Sequence, residues 1–166
     1  GTLVTIFSLS YRKDEEGEEK YYALLPALCG MMIGLGCARD LFNLWVWFEG
    51  MAITSYLLVA FYRQQSGALE AGVKYLVQSA VGSVLVLFGI SMIFLKAGTL
   101  DLVELREMAG GFGPLGLAVG ALFLAGFGVK AAMVPAHTWL PDAHSQAPSG
   151  ISAMLSGVVI EAGLVA

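Results

Sequence analysis

Three charged side chains stand inside long apolar runs of this sequence. They are Glu49, Lys130 and Glu161, from a total of 9 Lys and Arg and 13 Asp and Glu residues. A charge at the centre of a bilayer costs at least about 2.5–3.5 kcal/mol on insertion scales, so such residues normally face a protein interior or water. An acid and an amine that approach and separate change each other's proton affinity. The chemistry that these residue types permit is therefore proton exchange.

The segment GVKAAMVPAHTWLPDAHSQAPSG, residues 128–150, follows Lys130 with three prolines, two histidines and an aspartate. Pro135 has no N–H, and its ring crowds the carbonyl of Ala131. We therefore predict a broken helix between Lys130 and Pro135, with free carbonyls that favour a cation. Broken helices at membrane depth are buried in protein or line a cavity, and transporters use them for ion sites.

Two interpretations of the three charges remain open. In the first they form a line of exchangeable protons through the membrane. In the second an acid and Lys130 form a buried ion pair that orders helix packing, while the third group stays neutral. At 1.5 Å per residue, Glu49 lies about 12 Å into a helix that begins at Leu41, and Glu161 lies about 20 Å into one that begins at Pro148. If these helices enter from opposite sides, the two acids reach a similar level.

Three further titratable residues are candidates for the same pathway. Histidine titrates near neutral pH, so His137 and His144 could pass protons or line a wet entrance, or be hydrogen-bonded structural residues. A metal site would need a third and a fourth ligand beside Asp142, and the spacing supplies none. Lys74 stands at a predicted helix start, where it could reach the headgroups or serve as a shallow relay.

The elements that position these residues are membrane helices. The chain has 166 residues, of which 57% are hydrophobic and 13% charged, against about 25% charged in soluble domains. A bilayer core needs about 20 apolar residues per helix. The sequence therefore predicts an all-α, polytopic membrane protein with spans near 21–38, 41–62, 75–95, 113–139 and 148–166. The last span is expected to be cut short by the end of the sequence. Residues 1–11 are predicted to be the tail of a preceding membrane helix, and residues 12–20 an acidic cytoplasmic loop.

The connections carry a weak orientation signal and one candidate helix. The connections before residue 21 and after residue 62 lie on one side of the membrane and carry five basic residues: Arg12, Lys13, Lys20, Arg63 and Lys74. The connections on the opposite side carry three: Arg39, Lys96 and Arg106. Because basic residues are more frequent in cytoplasmic loops, the first side is predicted to be cytoplasmic. Asp101 followed by Glu104 is typical of a helix N-terminus. The residues after Asp101 could form a short interfacial helix or an ordinary loop.

The run KAAMVPAHTWLPDAHSQAPSGISAMLSG closely resembles the signature of the antiporter-like membrane subunits of respiratory complex I. Their superfamily includes Mrp cation/proton antiporter subunits and the membrane arms of energy-converting hydrogenases. The run DLFNLWVWFEGMAITSYLLVAFY resembles the preceding helix of that family, where an acid follows an aromatic run. The similarity extends from about residue 21 to residue 166.

The resemblance implies a five-helix half, one of two inverted repeats, with the family's glutamate at Glu49 and its broken-helix lysine at Lys130. It implies a proton-translocating subunit of a complex I-like NADH:quinone oxidoreductase or a related redox-driven pump, in a prokaryotic cytoplasmic membrane with other membrane subunits as partners. Alternatives are an Mrp-type Na+/H+ antiporter subunit and a non-conducting spacer. The sequence has no cysteine cluster or dinucleotide fingerprint, so redox cofactors are expected on other subunits.

One position departs from the family pattern. The family usually has a lysine where this sequence reads SGVVIEAGL, so Glu161 is a carboxylate at the place of an amine. A carboxylate can also carry a proton, but it is negatively charged without the proton, whereas a lysine is positively charged with it. Glu161 could then pair with Lys130, and the order of a relay, and even the choice of proton over sodium, is open at this position.

Overall fold

The computed structural model describes residues 1–11 and 17–165. The acidic loop predicted over 12–20, with Arg12 and Lys13 of the orientation signal, therefore lies outside the described residues except for 17–20. The described part is helical and contains no strand. Its elements are α1 (Thr2–Tyr11), α2 (Glu18–Gly36), α3 (Leu41–Val59), α4 (Ser66–Ala97), α5 (Leu102–Met108), α6 (Gly113–Lys130), α7 (Trp139–Gln146) and α8 (Ser149–Val165). The all-α prediction is confirmed.

Three of these helices, α3, α4 and α6, are long and apolar enough to cross a membrane. The helix α8 is apolar but shorter, and it contains a π-helical turn at Leu155–Val159. The helix α4 begins nine residues before the predicted span at residue 75, so the connection predicted there is largely helical. The count of five membrane spans stays a prediction.

Local sequence explains where several helices begin and end. The side chain of Asp40 accepts a hydrogen bond from the backbone N–H of Asn43 at 2.8 Å, which caps α3. Gly98 adopts a left-handed conformation with φ of 72° and terminates α4. Pro114 occupies the first turn of α6, where its missing N–H is not needed.

The short helix α5 is capped by Asp101, so the helical alternative for this connection is the one observed. Its carboxylate accepts from the backbone N–H of Val103 at 2.9 Å and of Glu104 at 3.3 Å. These backbone hydrogen bonds, aided by Arg39 at 3.0 Å, hold the pKa of Asp101 below its ordinary value. Backbone hydrogen bonds between residues 39–41 and 100–102 tie the start of α3 to this connection.

The helices α4 and α6 pack closely because glycines face each other where they cross. A Cβ atom added to Gly126 would lie 2.6 Å from the carbonyl oxygen of Gly82 and 2.5 Å from a methyl group of Val86. Small residues permit such backbone approach between membrane helices. This contact sets the distance between α4 and the end of α6, where Lys130 lies.

The burial pattern is that of a membrane bundle. Large apolar side chains point outward, such as Val84, Leu95 and Leu117. Polar side chains are buried between the helices, including Thr54, Ser55, Ser79, Ser83 and Lys130. The interior therefore contains hydrogen-bonding groups that a lipid-facing surface could not satisfy.

Candidate functional site

Lys130 is the last residue of α6, and its side chain is 1% exposed. Its Nζ donates to the hydroxyl of Tyr75 at 2.6 Å and lies 3.4 Å from Oγ of Ser55. The same nitrogen is 4.6 Å from the centre of the Tyr75 ring, a favourable position for a cation. The amine is thus held by neutral groups from α3 and α4.

The backbone leaves helical geometry directly after Lys130. Ala132 has φ of 52°, and regular helix resumes only at Trp139. The indole N–H of Trp139 donates to the carbonyl of Val129 at 2.8 Å, and this carbonyl also accepts from the backbone N–H of Ala132 at 3.2 Å. A helix end therefore lies at the predicted position. That α6 and α7 together cross a bilayer as one broken helix stays a prediction.

Glu49 lies on α3 within electrostatic range of Lys130 but not in contact with it. It forms no ion pair with any described cation. Its Oε1 is buried and has no hydrogen-bond partner among the described residues. A buried carboxylate oxygen without a donor is costly. Glu49 therefore presents to the bundle interior an acceptor oxygen that none of the described side chains satisfies.

Glu161 is exposed on α8, and it forms no ion pair with a described residue. The helix does touch the end of α6, but through Gly163. A Cβ on Gly163 would lie 3.2 Å from the Cβ of Lys130 and 2.9 Å from the backbone nitrogen of Ala131. Residues two apart on a helix point in nearly opposite directions. The structure therefore turns Glu161 away from Lys130, and the pairing considered from the sequence is not observed.

The two histidines lie in different surroundings. His144 on α7 contacts two serines of α8, with Nδ1 at 2.6 Å from Oγ of Ser152 and Nε2 at 3.2 Å from Oγ of Ser156. Ser156 belongs to the π-helical turn, and such turns are frequent at functional sites. His137 has a buried Nδ1 without a described partner. No group of three or more His, Cys, Asp or Glu side chains in residues 1–11 and 17–165 could hold a metal ion.

Lys74 lies in the third turn of α4, not at its start. Its Nζ is 2.8 Å from a carboxylate oxygen of Glu70 and 2.8 Å from one of Asp142, and its side chain is about half exposed. The ion pair with Asp142 joins α4 to α7. The neighbouring Gln78 also reaches this segment and donates to the hydroxyl of Thr138. Lys74 is thus paired with two acids, and none of its described partners is shared with Lys130.

Tyr75 and Ser55 are the site residues that the sequence did not single out. The ring of Tyr75 stacks on Trp139 with 3.9 Å between centroids. Its hydroxyl is buried, 2.8 Å from Oγ of Ser55 and bonded to Lys130. In the sequence these two residues are recognisable only as hydroxyl groups within apolar helices. Their spacing does not predict that residues 55, 75 and 130 contact one another.

The geometry can be compared with known proteins. The family described as NADH:quinone oxidoreductase/Mrp antiporter, TM matches residues 38–166. The chain is 35% identical over 167 residues to F(420)H(2) dehydrogenase subunit N of Methanosarcina mazei, covering 99% of this chain and 34% of that relative. It is 38% identical over 149 residues to NADH-quinone oxidoreductase subunit N of Desulfitobacterium hafniense, covering 89% of this chain and 30% of that relative.

A solved structure of a respiratory membrane complex is also similar to this chain. A chain of the membrane-bound sulfane sulfur reductase (MBS), an archaeal respiratory membrane complex, superposes with a TM-score of 0.92 at 34% identity, over 98% of this chain and 33% of that chain. The sequence therefore spans about a third of the length of the relatives it matches. The predicted all-α integral-membrane class and the family resemblance are both confirmed. The chain belongs to the NADH:quinone oxidoreductase/Mrp antiporter transmembrane family.

Proposed function

We propose that this chain is part of a proton-translocating membrane subunit of a complex I-like NADH:quinone oxidoreductase or a related redox-driven pump. The observation that carries the proposal is the state of Glu49 and Lys130. The lysine is fully buried without a carboxylate, and the acid nearby has a buried oxygen without a donor. Two such groups in neighbouring membrane helices are poised to exchange a proton.

The physical mechanism follows from the dependence of proton affinity on distance. When an acid and an amine are apart in a low dielectric, each is more stable neutral, and when they approach, the ion pair is favoured. Movement of the α6 end relative to α3 would change the distance between Lys130 and Glu49. Because α6 ends at Lys130, a shift there need not bend a continuous helix.

The remaining candidates would extend this pathway. His144, between two serines of α8, could pass a proton toward that helix. His137, with its buried Nδ1, could serve the segment between α6 and α7. Glu161 is exposed in this chain, and in the full-length protein a further helix would have to cover it, because a carboxylate is costly against lipid. We assign Lys74 the more peripheral role of an ion pair between α4 and α7.

The setting proposed for this subunit is a prokaryotic cytoplasmic membrane, within an assembly of other membrane subunits. The relatives carry names of respiratory dehydrogenase subunits, and the solved neighbour is a respiratory membrane complex. Redox centres would lie on the partner subunits. Electron transfer there would supply the free energy that moves the charged groups here.

Two other functions make different predictions. A spacer subunit would hold Glu49, Glu161 and Lys130 in a closed ionic cluster, and the observed outward position of Glu161 argues against that arrangement. A sodium/proton antiporter subunit would exchange Na+ for protons, so its transport would require sodium. Dependence of transport on sodium distinguishes the antiporter from the pump.

The test uses membrane vesicles containing the full-length protein assembled with its partner subunits. Glu49→Gln and Lys130→Ala are expected to abolish proton uptake, measured with a pH-sensitive dye, while assembly is retained. Glu104→Gln and Lys96→Ala are matched controls, because they make the same changes at exposed residues. Full uptake in both site variants would overturn the proposal. Uptake that requires sodium would replace it with the antiporter function.

A further inference from the structure

The hydroxyl pair beside Lys130 has no assigned part in the mechanism above. We propose that Tyr75 and Ser55 are positioning residues, which form a neutral holding site for the Lys130 amine in both of its protonation states. This inference rests on the proposed function, because it assumes that Lys130 gains and loses a proton. The holding site does not itself take the proton.

The two hydroxyl groups can accept from the charged amine and still keep acceptors for their own hydrogens. The ammonium group of Lys130 donates to Tyr75, the hydroxyl of Tyr75 donates to Ser55 at 2.8 Å, and the hydroxyl of Ser55 donates to the carbonyl of Ala52 at 2.8 Å. In this arrangement each hydroxyl hydrogen has an acceptor. The chain ends on a backbone carbonyl, so no buried donor on either hydroxyl is left unpaired.

The same groups can also hold the neutral amine. A hydroxyl is both a donor and an acceptor, and the Tyr75–Ser55 hydrogen bond can run in either direction. After Lys130 loses its proton, the hydroxyl of Tyr75 can rotate and donate to the amine lone pair. A carboxylate such as Glu49 has no hydrogen to offer, so it stabilises only the charged state. The holding site therefore keeps a hydrogen bond to the Lys130 nitrogen in both states, and the bond to the ammonium form is the stronger of the two.

Packing makes the holding site rigid. The Tyr75 ring is fully buried and stacks on Trp139 with planes 5° apart, and the ring of Tyr56 lies nearly perpendicular to it with 6.3 Å between centroids. Trp139 is in turn bonded to the carbonyl of Val129, next to Lys130. The hydroxyl thus stays in place while the long lysine side chain can swing toward Glu49 and return.

The charged and titratable groups around Lys130 are few. On α3 the charged group is Glu49, with the Tyr56 hydroxyl further along the helix, and α4 contributes Tyr75. The helix α8 packs on Lys130 through Gly163 and turns Glu161 outward. A change at Tyr75 therefore alters the one close polar contact of the amine and leaves the other charges in place.

The experiment compares three variants in the full-length, assembled protein in vesicles. Tyr75→Phe removes the main partner of Lys130, and Ser55→Ala removes the second hydroxyl. Tyr21→Phe is the matched control, because its buried hydroxyl is also 2.8 Å from a serine oxygen, that of Ser8, on other helices. Assembly of every variant is measured beside proton uptake as a function of pH.

We expect Tyr75→Phe to slow proton uptake about tenfold or more, since a hydrogen bond to a charged group is lost. The alkaline limb of its pH profile moves to lower pH, because the ammonium form loses more hydrogen-bond energy than the amine form. Ser55→Ala gives a smaller change in the same direction, about two- to threefold, because its contact with Lys130 is long. Tyr21→Phe retains the rate and pH profile of the unmodified protein.

The outcomes separate this inference from the function on which it rests. Full uptake in Lys130→Ala overturns the holding site, and full uptake in both Lys130→Ala and Glu49→Gln overturns the proposed function as well. If Lys130→Ala is inactive while Tyr75→Phe keeps the normal rate and pH profile, the holding site alone is wrong. A slower Tyr75→Phe protein with an unchanged pH profile reveals a packing role and also overturns it. Should Tyr75→Phe fail to assemble, the pH profile of Ser55→Ala decides in the same way.

Discussion

Two lysines of the membrane helices, Lys74 and Lys130, have opposite surroundings. Lys74 on α4 is about half exposed and lies 2.8 Å from carboxylates of both Glu70 and Asp142. Lys130 on α6 is 1% exposed, and its close partners are hydroxyl groups. Where solvent screens charge, acids fix a lysine in its charged state. In the interior, neutral partners leave the proton of Lys130 free to depart without stranding a contacting anion.

The largest expected difference in proton uptake is between Lys130→Met and Lys74→Met, the same substitution at the two lysines. Lys130→Met should lower proton uptake by at least about 100-fold, the scale of a lost proton-transfer group. Thermal unfolding of the purified complex should be unchanged or shifted upward, because an apolar side chain replaces a buried charge. Lys74→Met should change uptake by less than about threefold, as expected for an exposed ion pair. Equal losses of uptake in both variants would instead make Lys74 a relay residue.

The glycine contact that positions α6 can be broken selectively. Gly126→Ala places a methyl group against the backbone of Gly82 and should destabilise the fold by about 1–3 kcal/mol. Because α6 must then move away from α4, the contact between Lys130 and Tyr75 lengthens and uptake falls. Gly120→Ala lies on the same helix with open space around it, so it should be neutral or stabilising by up to about 1 kcal/mol. Chemical denaturation of both variants checks the difference, and equal stabilities would contradict it.

The capping of the α6 end by an indole can be tested with two tryptophans. Trp139→Phe leaves the buried carbonyl of Val129 with only the 3.2 Å hydrogen bond from the backbone N–H of Ala132, and it should cost about 1–1.5 kcal/mol. Trp45→Phe removes an indole hydrogen bond of similar length, to Ser83 at 2.9 Å, but in a partly exposed place. We expect it to cost less than about 1 kcal/mol. A smaller loss of stability for Trp139→Phe than for Trp45→Phe would argue against a cap that holds Lys130 in place.

The smallest effect is expected at the exposed ion pair of Asp101. Its folded pKa lies below the ordinary value, so the stability that it contributes is present above that value and is lost as the pH falls through the folded pKa. Amide hydrogen exchange in α5 should therefore accelerate when the pH falls below about 4, after correction for the intrinsic exchange rate. Asp101→Asn should remove most of this pH dependence. Acceleration of the same size in the variant would show that another group is responsible.

Much of the fold could be predicted from the sequence. Apolar runs without charges predict membrane helices because no other continuous segment satisfies its backbone in lipid. The all-helical, integral-membrane class and the family are confirmed. The helix end near Lys130 was also predictable from a local cause, because the ring of Pro135 would crowd the carbonyl of Ala131 in a continuous helix. Helix bounds were less accurate, since α4 extends well before the apolar run, where polar residues continue the helix outside the expected span.

The sequence alone determined which residues could carry a proton, because an acid or an amine inside an apolar run is costly wherever it points. Only the tertiary structure decided their partners. It brought Tyr75 and Ser55 to Lys130, left a buried oxygen of Glu49 without a donor, and turned Glu161 outward. Those contacts join residues 20 to 75 positions apart on three helices. Helix periodicity fixes the direction of a side chain on its own helix, but helix packing determines which side chain it meets.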